Sequence, residues 1–326
     1  MRSLQLTSPR SFTAIEEPTP ALPGPGWLLV EFTRALICGT DLPYFNGRKP
    51  IAAFPMEPGR PIHECSGIVR QSTSQLFSPG DRVVAMPKAD QGLKELYLAR
   101  EEDACPVPEA IEDWDAATLI QPLSTVIYGM EKLGVMEKLG QVRGASAMVV
   151  GAGAIGLLSV WCLAQGGAGP ITVLDPVQAR LDLARELGAT RTLALESGQA
   201  LALRRGGSLD LGETRIVVEA VGHQLETVNH CLDLAAYAGT VLALGVPDQP
   251  VYPFEFNMFF RKNLTMVGSV TPPWREYLEK AGALMARHPE LKKLVTDRFP
   301  LERTEEAFRL AESRGSAGKV ALLPFG

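Results

Sequence analysis

The spacing of apolar and polar positions changes character part-way along this chain, from about Ser124. Before that point the apolar runs are short and broken by proline and glycine. Trp27-Leu28-Leu29-Val30-Glu31-Phe32 follows the proline-rich stretch Pro18–Pro25, Cys65-Ser66-Gly67-Ile68-Val69 is a second run, and Gly80-Asp81 turns into a third at Arg82-Val83-Val84. Short strands punctuated in this way predict a β-rich, barrel-like domain. Afterwards, apolar strands at Met148–Val150, Ile171–Leu174, Ile216–Val218 and Val241–Leu244 alternate with helical stretches such as Arg180–Leu187 and Leu225–Ala236. That alternation predicts an α/β domain, a doubly wound parallel sheet with helices on both faces. Asn263–Val267 supplies a sixth strand, and the tail carries helices at Trp274–His288 and Thr304–Ser313 before a closing strand, Lys319–Leu323. The echo of Glu131-Lys132-Leu133-Gly134 in Glu137-Lys138-Leu139-Gly140 is not part of any periodic repeat.

One apolar run invites a different reading. Ala145–Ala164 carries no charge and is long enough to span a bilayer. Three glycines interrupt it, however, and bulky residues (Leu157, Leu158, Val160, Trp161) follow only after them. A buried strand, a tight turn and a buried helix account for the run better.

A chain of 326 residues suits two domains. Its 46% hydrophobic and 21% charged content is that of a soluble globular protein. A net charge of −5 provides no basic field for nucleic acid or an anionic membrane. Five cysteines without a CxxC pair argue against a disulfide framework and for a reducing, cytoplasmic setting. The N-terminal stretch has no apolar core segment, so it does not read as a secretory signal.

Gly151-Ala152-Gly153-Ala154-Ile155-Gly156 lies between an apolar strand and an apolar helix, and Asp175 stands 19 residues beyond Gly156 at the end of the next strand. In that context GxGxxG is a Rossmann dinucleotide-binding fingerprint. Gly151 allows the turn, Gly153 admits the pyrophosphate, Gly156 lets helix and strand pack closely, and the helix N-terminus offers free N–H groups to phosphate. Asp175 suits an adenosine ribose diol and its charge repels a 2′-phosphate. With Pro176 next and no arginine there, NAD is favoured over NADP. Arg180, about one helical turn on, is placed to stack on adenine or simply to be solvated.

Cys38-Gly39-Thr40-Asp41 and, 25 residues after the cysteine, His63-Glu64-Cys65-Ser66-Gly67 offer a thiolate, an imidazole and a carboxylate to one metal centre. A Lewis-acidic metal beside a nicotinamide is equipment for moving hydride to or from an alcohol carbon. The succession CGTD, HExxG, Gly80-Asp81-Arg82-Val83 and the glycine fingerprint resembles the zinc-containing medium-chain alcohol dehydrogenases, in particular their sorbitol, threonine and glucose dehydrogenase branch. The resemblance runs nearly end to end, through Leu119-Ile120-Gln121-Pro122-Leu123, Val218-Glu219-Ala220-Val221-Gly222 and the closing Gly318-Lys319-Val320.

The resemblance implies a GroES-like catalytic domain over 1–123, a dinucleotide-binding domain over 124–268, and a return to the catalytic domain over 269–326. It implies Cys38 and His63 as zinc ligands, Glu64 as a neighbouring carboxylate that binds directly or through water, and Gln121 at the place where this branch has glutamate or aspartate. A Cys/His/Gln set leaves more positive charge on zinc than Cys/His/Glu unless Glu64 closes in, and a bystander role for Gln121 stays open. Thr40 matches the hydroxyl that takes the alcohol's proton, and Asp41 the carboxylate that orients the ligand histidine. Ala154, Ile155, Val221 and Gly245 fall with the cofactor-binding positions. Ile62 replaces a glycine, Pro43 replaces a histidine of the proton relay, and Tyr44 and Phe45 line the substrate cleft or belong to the core.

A cysteine-bearing lobe for a structural zinc is missing between Val84 and Leu96, so the resemblance implies one zinc per chain. Cys65, Cys105, Cys162 and Cys231 then read as ordinary thiols, and His223, His230 and His288 as structural or surface residues. The implied reaction joins NAD with a secondary alcohol (a polyol, sugar or related hydroxylated metabolite) and its ketone, in a homodimer or homotetramer. Two other readings stay open: a zinc-free quinone or enoyl reductase of the same superfamily, and a non-catalytic NAD-binding protein.

Overall fold

The computed structural model describes residues 1–48, 53–134, 142–270 and 272–326. The second member of the Glu-Lys-Leu-Gly echo, Glu137–Gly140, lies outside them. In chain order the strands and helices begin with β1 (Arg2–Ser8), β2 (Ser11–Glu16), β3 (Trp27–Leu36), α1 (Leu42–Phe45), β4 (Glu64–Ser72), β5 (Arg82–Pro87), β6 (Leu96–Pro106), α2 (Trp114–Thr118) and α3 (Ile120–Lys132). There follow β7 (Ala147–Val150), α4 (Ala154–Gln165), β8 (Ile171–Leu174), α5 (Gln178–Glu186), β9 (Arg191–Leu193), α6 (Ser197–Arg205), β10 (Thr214–Glu219), α7 (Thr227–Leu234) and β11 (Ala235–Ala243). The last are α8 (Phe256–Arg261), β12 (Thr265–Gly268), α9 (Trp274–Arg287), β13 (Val295–Pro300), α10 (Thr304–Glu312) and β14 (Lys319–Leu323).

The chain divides into two units, Met1–Ser124 with Pro273–Gly326, and Thr125–Pro272. In the first, six strands form a sheet in the order β13-β14-β3-β4-β5-β6, and β3 also pairs with β6, which curls the sheet toward closure. Alternation along β3 turns Leu28, Val30 and Phe32 into a core with Val69, Val83 and Tyr97. Phe12, Phe45 and Phe308 extend it, the Phe45 and Phe308 rings lying 4.9 Å apart. The β1–β2 hairpin buries Leu4 and Leu6. These two elements had no distinct signal in the sequence, because no position of β2 is fully buried and its strand is short.

In the second unit six parallel strands run β12-β11-β10-β7-β8-β9. This is a doubly wound sheet whose order reverses beside β7. The uncharged run Ala145–Ala164 resolves into β7, a glycine turn and the buried helix α4, and no described helix is long and apolar enough to cross a membrane.

Candidate active site

Antiparallel pairing explains how Cys38 and His63 meet. β3 and β4 pair with Leu36 opposite Glu64 and Ala35 opposite Cys65, so the residues just after β3 and just before β4 leave the sheet together. Ligand atoms of Cys38, His63 and Glu64 all lie within 4.8 Å of one another. Asp41, in the 3-10 turn Gly39–Asp41 and only 1% exposed, holds both of the first two. Its Oδ2 accepts the Cys38 backbone N–H at 2.8 Å, and its Oδ1 lies 3.1 Å from His63 Nδ1. With Nδ1 engaged by Asp41, Nε2 of His63 is left to act as a ligand atom, the arrangement usual for a metal-bound imidazole. Burial raises the pKa of the Asp41 carboxyl, against the pull of His63. Burial also opposes a charge on His63, but Asp41 and Cys38 outweigh it and hold the imidazole pKa well above its ordinary value. Thr40, half-buried, stands between Gly39 and Asp41 on the same turn.

Glu64 has a partner that sequence reasoning missed. Lys319 Nζ lies 2.6 Å from both Glu64 carboxylate oxygens and donates to the Ile37 carbonyl at 3.1 Å. β14 brings it there by pairing antiparallel with β3, Ala321 opposite Leu36, while Ile37 N–H donates to Val320 O at 3.0 Å. Burial disfavours the Lys319 charge, yet Glu64 and Cys38 outweigh it and raise the ammonium pKa. The available signal was a lysine opening an otherwise apolar, buried strand, Lys319-Val320-Ala321-Leu322-Leu323.

Gln121 is buried near the start of α3 and its amide N–H reaches Met86 Sδ at 3.9 Å. Phe45 and Ile62 are fully buried core residues, so of its two readings Phe45 takes the core. The Arg60 guanidinium sits 5.3 Å above the Tyr44 ring. The donor set of Cys38 and His63, with a carboxylate alongside and His63 already oriented, fits a zinc ion. The other four cysteines are buried, and burial raises their thiol pKa values, Cys105 and Cys162 to about 12.

In the second unit the register aligns Val150 with Leu174 and with Glu219, and Glu219 with Ala243. The residues that follow these four therefore emerge at one carboxyl edge, where an open α/β sheet binds ligands. Gly151 there has φ +94°, and a Cβ on Gly156 would lie 1.8 Å from Gly151 O, so only glycine allows α4 to start that close to the turn. A Cβ on Gly153 would meet nothing within 4 Å: that side is open. Ala154 and Ile155 begin α4. Asp175 is buried, its Oδ2 accepting the Ala152 N–H and its Oδ1 the Val177 N–H, each at 2.8 Å. The turn thus fixes the carboxylate and leaves each oxygen further acceptor capacity. Arg180 lies in the first turn of α5. Val221 and Gly245 occupy the loops after β10 and β11, joined through Glu219, a second residue whose part sequence reasoning missed.

Comparison with known proteins agrees with this fold. The family model for the glucose dehydrogenase C-terminus matches residues 114–316, and that for the alcohol dehydrogenase GroES-like domain matches 24–164. L-threonine 3-dehydrogenase of Bacillus licheniformis is 29% identical over 333 residues, covering 91% of each chain. Sorbitol dehydrogenase of Gallus gallus is 27% identical over 92% of this chain and 90% of its own. Among solved structures, the alcohol dehydrogenase TADH of Thermus sp. ATN1 shares the fold, with a TM-score of 0.82 at 24% identity over 99% of this chain and all of that one. The chain belongs to the zinc-type medium-chain alcohol dehydrogenase family, in its sorbitol and threonine dehydrogenase branch, and is an oxidoreductase acting on CH–OH groups with a nicotinamide cofactor.

Proposed function

We propose that the chain is a zinc-dependent, NAD-linked dehydrogenase of a secondary alcohol, a polyol, sugar or related hydroxylated metabolite, interconverted with its ketone. The observation that carries this reading is the gathering of Cys38, His63 and Glu64 ligand atoms within 4.8 Å of one another, with Asp41 holding the first two. Cys38 and His63 would hold the ion, with Gln121 as a further donor. When bound, zinc would supply the Lewis acidity that lowers the pKa of an alcohol hydroxyl, and the nicotinamide would supply the hydride acceptor. Thr40 would accept a hydrogen bond from the alcohol hydroxyl and relay its proton onward to solvent water, Asp41 keeps His63 in its metal-facing tautomer, and Glu64 contributes negative charge that Lys319 partly balances.

Gly151, Gly153, Ala154, Ile155 and Gly156 receive the pyrophosphate, and Asp175 the adenosine ribose. Its negative charge favours NAD over NADP. Arg180 stacks on adenine, and Val221 and Gly245 lie against the cofactor. The reading takes one zinc per chain, held at the Cys38, His63 and Glu64 group.

The reading includes a homo-oligomer, a dimer or tetramer. β12 is an edge strand, and Phe256, Phe260, Met266 and Val270 around it are exposed, an unusual load of apolar surface beside unpaired strand edges. The five free thiols suit a cytoplasmic setting.

The test is metal analysis of protein purified without chelator, followed by a panel of polyols and secondary alcohols with NAD and with NADP. About one zinc per chain and faster turnover with NAD are expected from the donor set and from Asp175. Protein without zinc that reduces quinones or enoyl thioesters would replace this reading with the zinc-free one.

A further inference from the structure

Glu219 ends β10 with a carboxylate that is 2% exposed and, among the described residues, pairs with no cation. Its oxygens instead accept backbone N–H groups from two separate loops. Oε1 takes Val221 and Gly222, each at 3.0 Å, and Oε2 takes Gly245 at 3.1 Å, an N–H that also donates to the Glu219 carbonyl at 3.0 Å. The loops also touch directly, His223 N–H donating to Val246 O at 3.1 Å. The fit is close enough that a Cβ on Gly245 would lie 2.2 Å from Glu219 Oε2 and 2.3 Å from Gly222 N. A buried carboxylate is costly to keep charged, and here burial raises its pKa against the pull of the three N–H donors.

The position of this clamp in the sheet assigns it a side. β7, β8 and β9 form the half that carries the glycine turn and Asp175, whereas β10, β11 and β12 form the other mononucleotide half beyond the reversal of strand order. Since Asp175 is the acid suited to the adenosine ribose, the loops after β10 and β11 are left for the other nucleotide. We propose that Glu219 is a positioning residue that holds the Val221 and Gly245 loops in the arrangement that grips the nicotinamide half of the dinucleotide. This rests on the nicotinamide cofactor site described above.

Glu219→Gln is the informative change, because it keeps shape and removes one acceptor. If the amide turns its NH2 toward Val221 and Gly222, both lose their acceptor; if toward Gly245, that N–H keeps only the Glu219 carbonyl and the NH2 is set against it. The measurement is the affinity of the purified full chain for NADH and for ADP-ribose, which lacks the nicotinamide. E219Q should weaken NADH by about tenfold or more and ADP-ribose by less than about threefold, in line with loss of one or two hydrogen bonds on one side. Glu219→Asp, which keeps a carboxylate, should recover part of the NADH affinity and serves as the test if E219Q does not fold. Equal losses for both ligands, or none for either, would overturn the assignment. Failure of the unaltered protein to bind either ligand would overturn the cofactor reading beneath it.

Discussion

Lys319 and Glu64, separated by 255 residues, form a two-pronged ion pair where the ends of β14, β3 and β4 meet beside Cys38. Glu64 is thereby engaged within the protein itself. Removing one partner of such a buried pair leaves an uncompensated charge, which costs roughly 3–5 kcal/mol. Lys319→Met should lower stability by about that much, whereas Lys319→Met with Glu64→Gln should recover most of it. Urea melts of the single and double variants measure this. Additive losses would mean the two side chains are not coupled.

Asp41 presents one oxygen to His63 and the other to the Cys38 backbone. Asp41→Asn keeps the shape but frees the imidazole tautomer. Zinc affinity, read by competition with a chromogenic chelator, should fall by roughly 10–100-fold, the usual effect of losing such a partner. An unchanged affinity would remove Asp41 from the metal site.

Gly153 and Gly156 separate packing from ligand approach. Gly156→Ala forces a Cβ against the Gly151 carbonyl and should destabilise the fold by roughly 1–3 kcal/mol or more. Gly153→Ala meets open space, so thermal stability should hold while NADH fluorescence titration shows weakened binding. Normal binding by Gly153→Ala would show that no phosphate passes over that position.

Burial sets thiol reactivity. Cys38 is half-buried, whereas Cys65, Cys105, Cys162 and Cys231 are buried and their pKa values raised. Iodoacetamide at about pH 8 should label the native, chelator-treated protein once, at Cys38, and the urea-unfolded protein at all five cysteines. Added zinc should protect Cys38. Peptide mass mapping reads both results.

Stability at acid pH carries the mark of Glu312. The Arg10 guanidinium holds its carboxyl below the usual range, assisted by Asn46 and opposed by partial burial. A depressed folded-state pKa means that the pair stabilises above the unfolded value of about 4.3 and ceases to as pH falls through the folded one. Glu312→Gln should therefore lower the urea midpoint at about pH 7 and leave it nearly unchanged at about pH 2. An equal loss at both values would assign Glu312 a packing role instead.

Much of this was legible before folding is considered. The strand periods of Ile171–Leu174 and Lys319–Leu323 coincide with β8 and β14, because continuous apolar runs bounded by polar turns have few other uses. The family's chemistry was equally local, since CGTD, HE and the glycine turn each sit within a few consecutive residues. The β1–β2 hairpin escaped notice because only scattered side chains there are buried. Phe45 and Ile62 gave no hint of which way they point, and both face the core.

Short-range order along the chain was enough to name many of the elements, the α/β class and the residue types able to bind a metal and a dinucleotide, because backbone preference and hydrophobic period act over a few residues. The partners of those residues came from strand register over long distances. Only the β14–β3–β4 pairing sets Lys319 against Glu64, and only the parallel alignment of β10 with β11 adds the Gly245 N–H to the two local ones, Val221 and Gly222, on Glu219. A carboxylate looks the same in the sequence whether water, a lysine or a loop satisfies it; burial, which exists only in the folded chain, makes that choice binding.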